Sequence, residues 1–392
     1  MTPLVCPYCF ASTQRRSLEF RCAGRVVGRT GGCEPVNDVV HAQFRGVPTF
    51  VAPPVFAADG RQARAVHPVC GQLSLRRVCP ACHSELPSDY CDVPSRLVAL
   101  VGAKNSGKST YIGVLIHELR NRVGRELNAS LNACDDRTAT RYHNDFEQLL
   151  YGQGVLPPIT QTAAHALHDP LVYRLTLPGR GAFGRTRRSS LALVLFDTAG
   201  EDLTTESSVD SHLRYLGVAD AIMFLVDPLE LPSVRSSSVA SAPPKVPGAA
   251  PDDPLDVIRR VTNLVRASRG IRAPKPLPVA VALCLTKVDS VDLGISEQSP
   301  LLADRHRNGK LDLADRGLVG EELRALLAHW GGDALERELA DAYQEYGVFG
   351  VSALGHPPTG GAVGGIGITP RRVEDPLLWL LHRFKMIDAG KG

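Results

Sequence analysis

Val101 to Thr110 reads "VGAKNSGKST", and the spacing Gly102-x-x-x-x-Gly107-Lys108-Ser109 within it decides the fold. Upstream, "RLVALVG" is a short apolar run of the kind that a buried parallel strand shows. Downstream, Ile112, Leu115, Ile116, Leu119 and Val123 recur at helical spacing. Strand, glycine loop and helix in that order form the setting in which a phosphate loop works. Backbone N–H groups from Gly102 through Asn105, Ser106 and Gly107 to Thr110 are expected to surround a β-phosphate. Lys108 reaches the β- and γ-phosphates, and the Ser109 hydroxyl ligates magnesium. The loop predicts a nucleotide without choosing between ATP and GTP.

Further along, "LVYRLTLPG" and "SLALVLFDTAG" are strand-like and are joined by a Gly/Arg-rich turn too short for a helix. They predict a hairpin, so one antiparallel strand joins a parallel sheet. "ADAIMFLVDP", "PVAVALCLTKVD" and "YGVFGVSALG" add three more apolar strands. Helices are predicted near residues 137–150, 255–267, 321–346 and 376–384. The fold class is therefore α/β, a doubly wound, mostly parallel sheet of six strands. Residues 231–254, rich in Pro, Ser and Ala, read as a flexible loop, and the glycine-rich residues 356–370 as a linker, with a mobile flap as the other reading.

Three short polar motifs stand at strand ends, the edge on which such sheets bind ligands. In "DTAG" Asp197 holds magnesium through water and the Gly200 N–H senses a γ-phosphate. In "TKVD", Thr286 to Asp289, the Asp289 carboxylate accepts two hydrogen bonds from guanine N1–H and its exocyclic amine while Lys287 lies along the ring. Adenine lacks those donors, so an unpaired buried carboxylate rejects it. In "SAL", which opens on Ser352, the Ala353 N–H meets guanine O6. Together these motifs turn the nucleotide into GTP. On them the chain resembles GTPases of the translation-factor-related class, Ras-like proteins included, over about residues 96–384. That resemblance implies a P-loop GTPase cycling between GTP and GDP, with a magnesium-touching switch threonine before the second strand. "LPPITQTA" offers Thr160 for that role, with Thr162 close behind.

Ras-like enzymes carry a glutamine after the "DTAG" glycine; here the residue is Glu201. A carboxylate beside a γ-phosphate is repelled and cannot donate as an amide does, so slow intrinsic hydrolysis is expected. The pattern Gly-x-x-Asn-x-Gly-Lys-Ser resembles the loop of potassium-activated GTPases, which implies that Asn105 helps hold K+ in place of an arginine finger. The plainer reading is that Asn105 suits its turn. Arg214 and the arginines among residues 185–188 are candidates for a finger in cis. Asp227 reads as a strand-end cap, Cys134 and Cys284 as interior thiols, and His165 and His168 as surface residues.

Eight of the ten cysteines precede residue 92, ahead of everything that reads as sheet and helix, so residues 1–94 form a separate cysteine-rich module and 95–392 the GTPase domain. "CPYC" and "CPAC" are metal knuckles, and "HPVC" is the same form with histidine first. One zinc site is expected from His67, Cys70, Cys79 and Cys82 and another from Cys6, Cys9, Cys22 and Cys33. Cys91 and His83 are reserves, and a single site pairing Cys6/Cys9 with Cys79/Cys82 is the alternative. No apolar run approaches the ~20 residues a membrane helix needs, and "MTPLVCPYC" is not a secretory leader, which predicts a cytoplasmic protein. A net charge of +3, cancelled in part by thiolate-bound zinc, argues against nucleic acid as partner.

The ribbon ending in "CPACHSELP", the abutting phosphate loop and the later "RRVEDPLLWLL" resemble bacterial double-GTPase family proteins. That resemblance implies protein partners, a second GTPase or a GTPase-activating protein, in multi-gene signalling or conflict systems. A non-hydrolysing GTP-binding scaffold recruiting a partner through the zinc ribbon is the second reading.

Overall fold

The computed structural model describes residues 3–25, 31–103, 105–158, 170–180, 186–197, 214–231, 233–234, 253–289, 298–303 and 311–390. The N-terminal module is built from short strands. Strands β1 (Leu4–Val5) and β2 (Ser12–Thr13) form a hairpin whose turn carries Cys6 and Cys9. Next comes β3 (Glu19–Arg21), then β4 (Val36–Asn37) and β5 (Val51–Ala52), which pair with each other around the short helix α1 (Val39–Arg45). Beyond them, β6 (Val55–Ala57) pairs with β3, β7 (Ala65–Val66) and β8 (Leu73–Ser74) form a hairpin around His67 and Cys70, and β9 (Arg77–Val78) pairs with the other edge of β3. Arg21 is almost fully buried; it donates to Asp38 at 2.8 Å and to the Pro53 and His83 carbonyls at 3.0 and 2.9 Å. Asp38 in turn caps α1 through the His41 N–H, so one buried ion pair fastens β3 to α1.

The large sheet has seven strands in the order β11, β12, β13, β10, β14, β15, β17. They are β10 (Ser95–Gly102), β11 (Ser130–Ala133), β12 (Leu171–Arg180), β13 (Thr186–Asp197), β14 (Ala221–Val226), β15 (Leu277–Leu285) and β17 (Tyr343–Gly350); a two-residue β16 (Leu311–Asp312) lies outside this sheet. Strands β13, β10, β14, β15 and β17 run parallel, and β12 is antiparallel to β13 through the expected hairpin. The six-stranded expectation is corrected by β11, an edge strand antiparallel to β12. Its "SLNA" buries only Leu131, too little for the apolar run by which the other strands were legible.

Helix α3 (Lys108–Arg120) is buried on nearly every side. It ends at Arg120, three residues short of the expected Val123, which belongs to a separate helical turn over Arg122–Glu126. The helix foreseen over 137–150 is α5 (Asp136–Tyr142), continued by π-helical turns over His143–Gln153. The single helix expected over 321–346 is two, Leu313–His329 and Asp333–Ala342, parted at Gly331 in a left-handed φ of 75°. Helices over Pro254–Arg269 and Asp375–Arg383 complete the layers.

The sheet is buried on both faces. One face packs on α3 and Asp375–Arg383, the other on Pro254–Arg269 and on the N-terminal module. There Phe10 meets Tyr215 at 5.1 Å between ring centroids, Tyr8 donates to Asp135 at 2.8 Å, and Tyr90 donates to the Val5 carbonyl. The module thus fills part of the layer that a helix occupies elsewhere. No helix among the described residues is long and apolar enough to cross a membrane.

Candidate nucleotide site and metal centres

Gly102 ends β10 beside Leu225 of β14, and a Cβ there would stand 2.6 Å from the Leu225 carbonyl and 2.5 Å from Ser106 Oγ. Only glycine fits. The loop then turns through Asn105 at φ 65° and Gly107 at φ 82°, both left-handed, before α3 begins at Lys108. Asn105 is exposed, whereas Ser106 and Lys108 are buried. Ser109 and Thr110 follow in the first helical turn, half-buried.

Thr286 follows β15 and donates its hydroxyl to the Ser106 carbonyl at 2.9 Å. Lys287, left-handed at φ 51°, reaches back so that its ammonium donates to the Asn105 carbonyl at 2.7 Å and to Asp227 Oδ2 at 2.7 Å. Two residues of "TKVD" are therefore bonded to the phosphate loop itself. Asp289 lies two positions on, half-buried. After β17, Ser352 is fully buried, pairs with Arg371 through its backbone, and accepts the Gly355 N–H on its hydroxyl at 2.8 Å. This tight turn carries Ala353. The glycine-rich stretch beyond it is pinned: Leu156 N–H donates to the Gly361 carbonyl at 3.0 Å and Val363 N–H to the Gly154 carbonyl at 2.7 Å.

Asp197 ends β13, in register with Leu100; its side chain, with Thr160, Thr162, His165, His168, Arg185, Gly200 and Glu201, lies outside the described residues. Arg214 opens a helical stretch over 214–218 and is exposed. Asp227 does cap its turn, through the Leu229 N–H at 3.0 Å, but its second oxygen pairs with Lys287. That pairing joins residues 60 positions apart, and no local signal announces it. Cys284 is fully buried one residue before the end of β15, and Cys134 is half-buried.

The eight expected metal ligands form two tetrads, grouped differently from the expectation. Cys6 and Cys9 face Cys79 and Cys82 in an outer centre; Cys22, Cys33, His67 and Cys70 form an inner one. The reason is register. Because β3 and β9 are antiparallel, with Glu19 opposite Val78, Cys22 and Cys79 leave opposite ends of the small sheet and cannot share an ion. The single-site alternative names the outer centre and omits the inner one.

Four thiolates around one zinc at about 2.3 Å stand about 3.8 Å apart. Cys6 and Cys82 sulfurs lie 3.8 Å apart and those of Cys9 and Cys79 3.7 Å, so the outer donor set fits a tetrahedral ion. In the inner centre Cys22 and Cys70 stand 3.6 Å apart, and His67 Nδ1 lies 3.4 Å from Cys33 and 3.2 Å from Cys70. All three knuckles end on a left-handed residue, Phe10, Gly71 and His83. Backbone N–H groups of Gly24 and Ala81 point at the Cys22 and Cys79 sulfurs at 3.4 Å, which favours thiolates. Burial pushes the Cys6 thiol up, whereas its hydrogen bond holds Cys79 well below the usual thiol range. The Gln72 N–H brings Cys70 down to about 7.

Among curated proteins, SaeC of Mycolicibacterium smegmatis, whose name describes a candidate ESX-1 scaffolding and assembly protein, is 31% identical over 322 residues, covering 79% of this chain and 80% of its own. A crystal structure of an Aquifex aeolicus Era variant bound to GDP·AlF4− aligns with 76% of this chain and 59% of that one, at 14% identity and a TM-score of 0.26. Residues 96–318, more than half of the sequence, match the family described as Double-GTPase 2. By that match, and by its likeness to SaeC over four-fifths of both chains, the protein belongs to the Double-GTPase 2 family.

Proposed function

We propose that the chain is a GTP hydrolase of low intrinsic rate, acting as a partner-controlled switch, with two zinc centres for structure and docking. One observation carries the guanine assignment: Thr286 and Lys287 are bonded to the Ser106 and Asn105 carbonyls, so a base held at "TKVD" stands in line with phosphates on the loop. In this reading Lys108 neutralises the β- and γ-phosphates. Magnesium is held by Ser109, Thr160 and, through water, Asp197. Gly200 senses the γ-phosphate, and Asp289 with Ala353 selects guanine. Magnesium held there would supply stabilisation of the charge that develops on the phosphates; the chain's own residues bind and orient the nucleotide. A second GTPase or an activating protein in a bacterial multi-gene system supplies what Glu201 lacks.

The name of SaeC, together with Glu201, favours a second reading, a scaffold that holds GTP without turning it over. Single-turnover assays separate the two. Slow cleavage of GTP is expected, with no binding of ATP at tenfold higher concentration; GTP bound for hours and recovered intact establishes the scaffold instead.

Asn105 carries the finer proposal of a potassium ion. Within the phosphate loop Asn105 is exposed and left-handed at φ 65°. Turnover about tenfold faster in potassium than in sodium is expected, and Asn105→Gly, which keeps the left-handed turn, should abolish the difference. Equal rates in both salts leave Asn105 a turn residue only.

A further inference from the structure

We propose that Asp227 is a positioning residue for guanine recognition: its carboxylate anchors the Lys287 ammonium so that the lysine stem is laid out where the base stacks. The proposal rests on the reading of "TKVD" as the guanine motif. A lysine stem has four rotatable carbons, and the Lys287 side chain is 34% exposed, so nothing in its own packing fixes it. Its far end has two anchors, one in the phosphate loop and one directly after β14. The Asn105 carbonyl lies at 2.7 Å and the Asp227 carboxylate at 2.7 Å, the latter on a side chain only 8% exposed. Two fixed acceptors at the tip and a left-handed backbone at the root, φ 51°, leave the stem one path between them. That path starts at the mouth of β15 and ends over the phosphate loop, between the two halves of the proposed nucleotide site.

A strand-end cap needs only one oxygen, and Asp227 Oδ1 provides it to the Leu229 N–H at 3.0 Å. Serine or asparagine would serve equally there. Among the described residues the negative charge and the second oxygen are matched by Lys287. Holding a carboxylate this buried beside an ammonium also keeps it from standing uncompensated in the interior.

Asp227→Asn separates the two roles, because the amide oxygen can keep the Leu229 bond while the amide nitrogen faces an ammonium it cannot accept from. Release of a fluorescent GDP analogue is measured for wild type, Asp227→Asn, Lys287→Met and the double variant, with the thermal midpoint of each nucleotide-free protein. Asp227→Asn is expected to speed release about tenfold, the loss of one charge-assisted hydrogen bond. The double variant should release no faster than Lys287→Met alone, with midpoints for Asp227→Asn and wild type within about 2 °C. Multiplying effects in the double variant, or Asp227→Asn releasing at the wild-type rate, overturn the proposal and leave Asp227 a cap. Failure of wild type itself to retain the GDP analogue overturns the guanine reading, and the proposal with it.

Discussion

Removing the metal from the outer cysteine centre is expected to lower the melting midpoint of the whole protein, beyond any loss of a local fold. The module has only two- and three-residue strands with which to hold itself, and structural zinc in sites of this kind is worth about 10–16 kcal/mol of folding free energy at neutral pH. Cys6, Cys79 and Cys82 are buried in the same core as Tyr215, Val98 carries the carbonyl to which Tyr215 donates at 3.2 Å, and Phe10 meets the Tyr215 ring at a tilt of 49°. Losing that contact strips one face of the large sheet. For a protein of this size 1 kcal/mol shifts the midpoint by about 1 °C, so Cys79→Ser should cost about 10 °C or more. Cys70→Ser, in the half-buried inner centre, should cost less and spare nucleotide binding. Metal analysis should give two zinc ions per chain in the wild type and one in each variant. A wild type without zinc, or a midpoint unmoved by chelator, removes the metal reading.

Lys108→Ala is expected to lose guanine-nucleotide affinity by about a hundredfold or more, the removal of a buried charge paired with two phosphates. Titration of labelled GDP and GTP checks this. The nucleotide-free melting midpoint should hold, since Lys108 sits in the first turn of α3, where alanine is the best helix former. Undiminished binding would mean that the nucleotide lies elsewhere.

The strands that carry the site were legible because each is a continuous apolar run ending in a short polar motif, as in "FLVDP" and "LCLTKVD". Parallel strands covered on both faces look like that, and their ends line one sheet edge by topology alone. What escaped was either too short or too distant. The edge strand Ser130–Ala133 buries one side chain, and the break at Gly331 is hidden within residues that suit a helix on both sides. Six of the eight candidate metal ligands were legible from knuckle spacing, and Cys22 and Cys33 only as the cysteines left between the knuckles; their sorting follows from the pairing of Glu19 with Val78, which spacing does not encode. The second role of Asp227 likewise depends on Lys287, brought beside it only when β14 and β15 pair.

The interleaving of the two centres sets an order of assembly during synthesis. The last ligand of the inner tetrad is Cys70, whereas Cys6 and Cys9 wait for Cys79 and Cys82. As the chain leaves the ribosome the inner centre can close first. The outer one closes around it some twelve residues later, before any of the large sheet has been made. The surface that Tyr215 meets through Phe10 thus lies wholly in chain made before the helical stretch over 214–218 emerges.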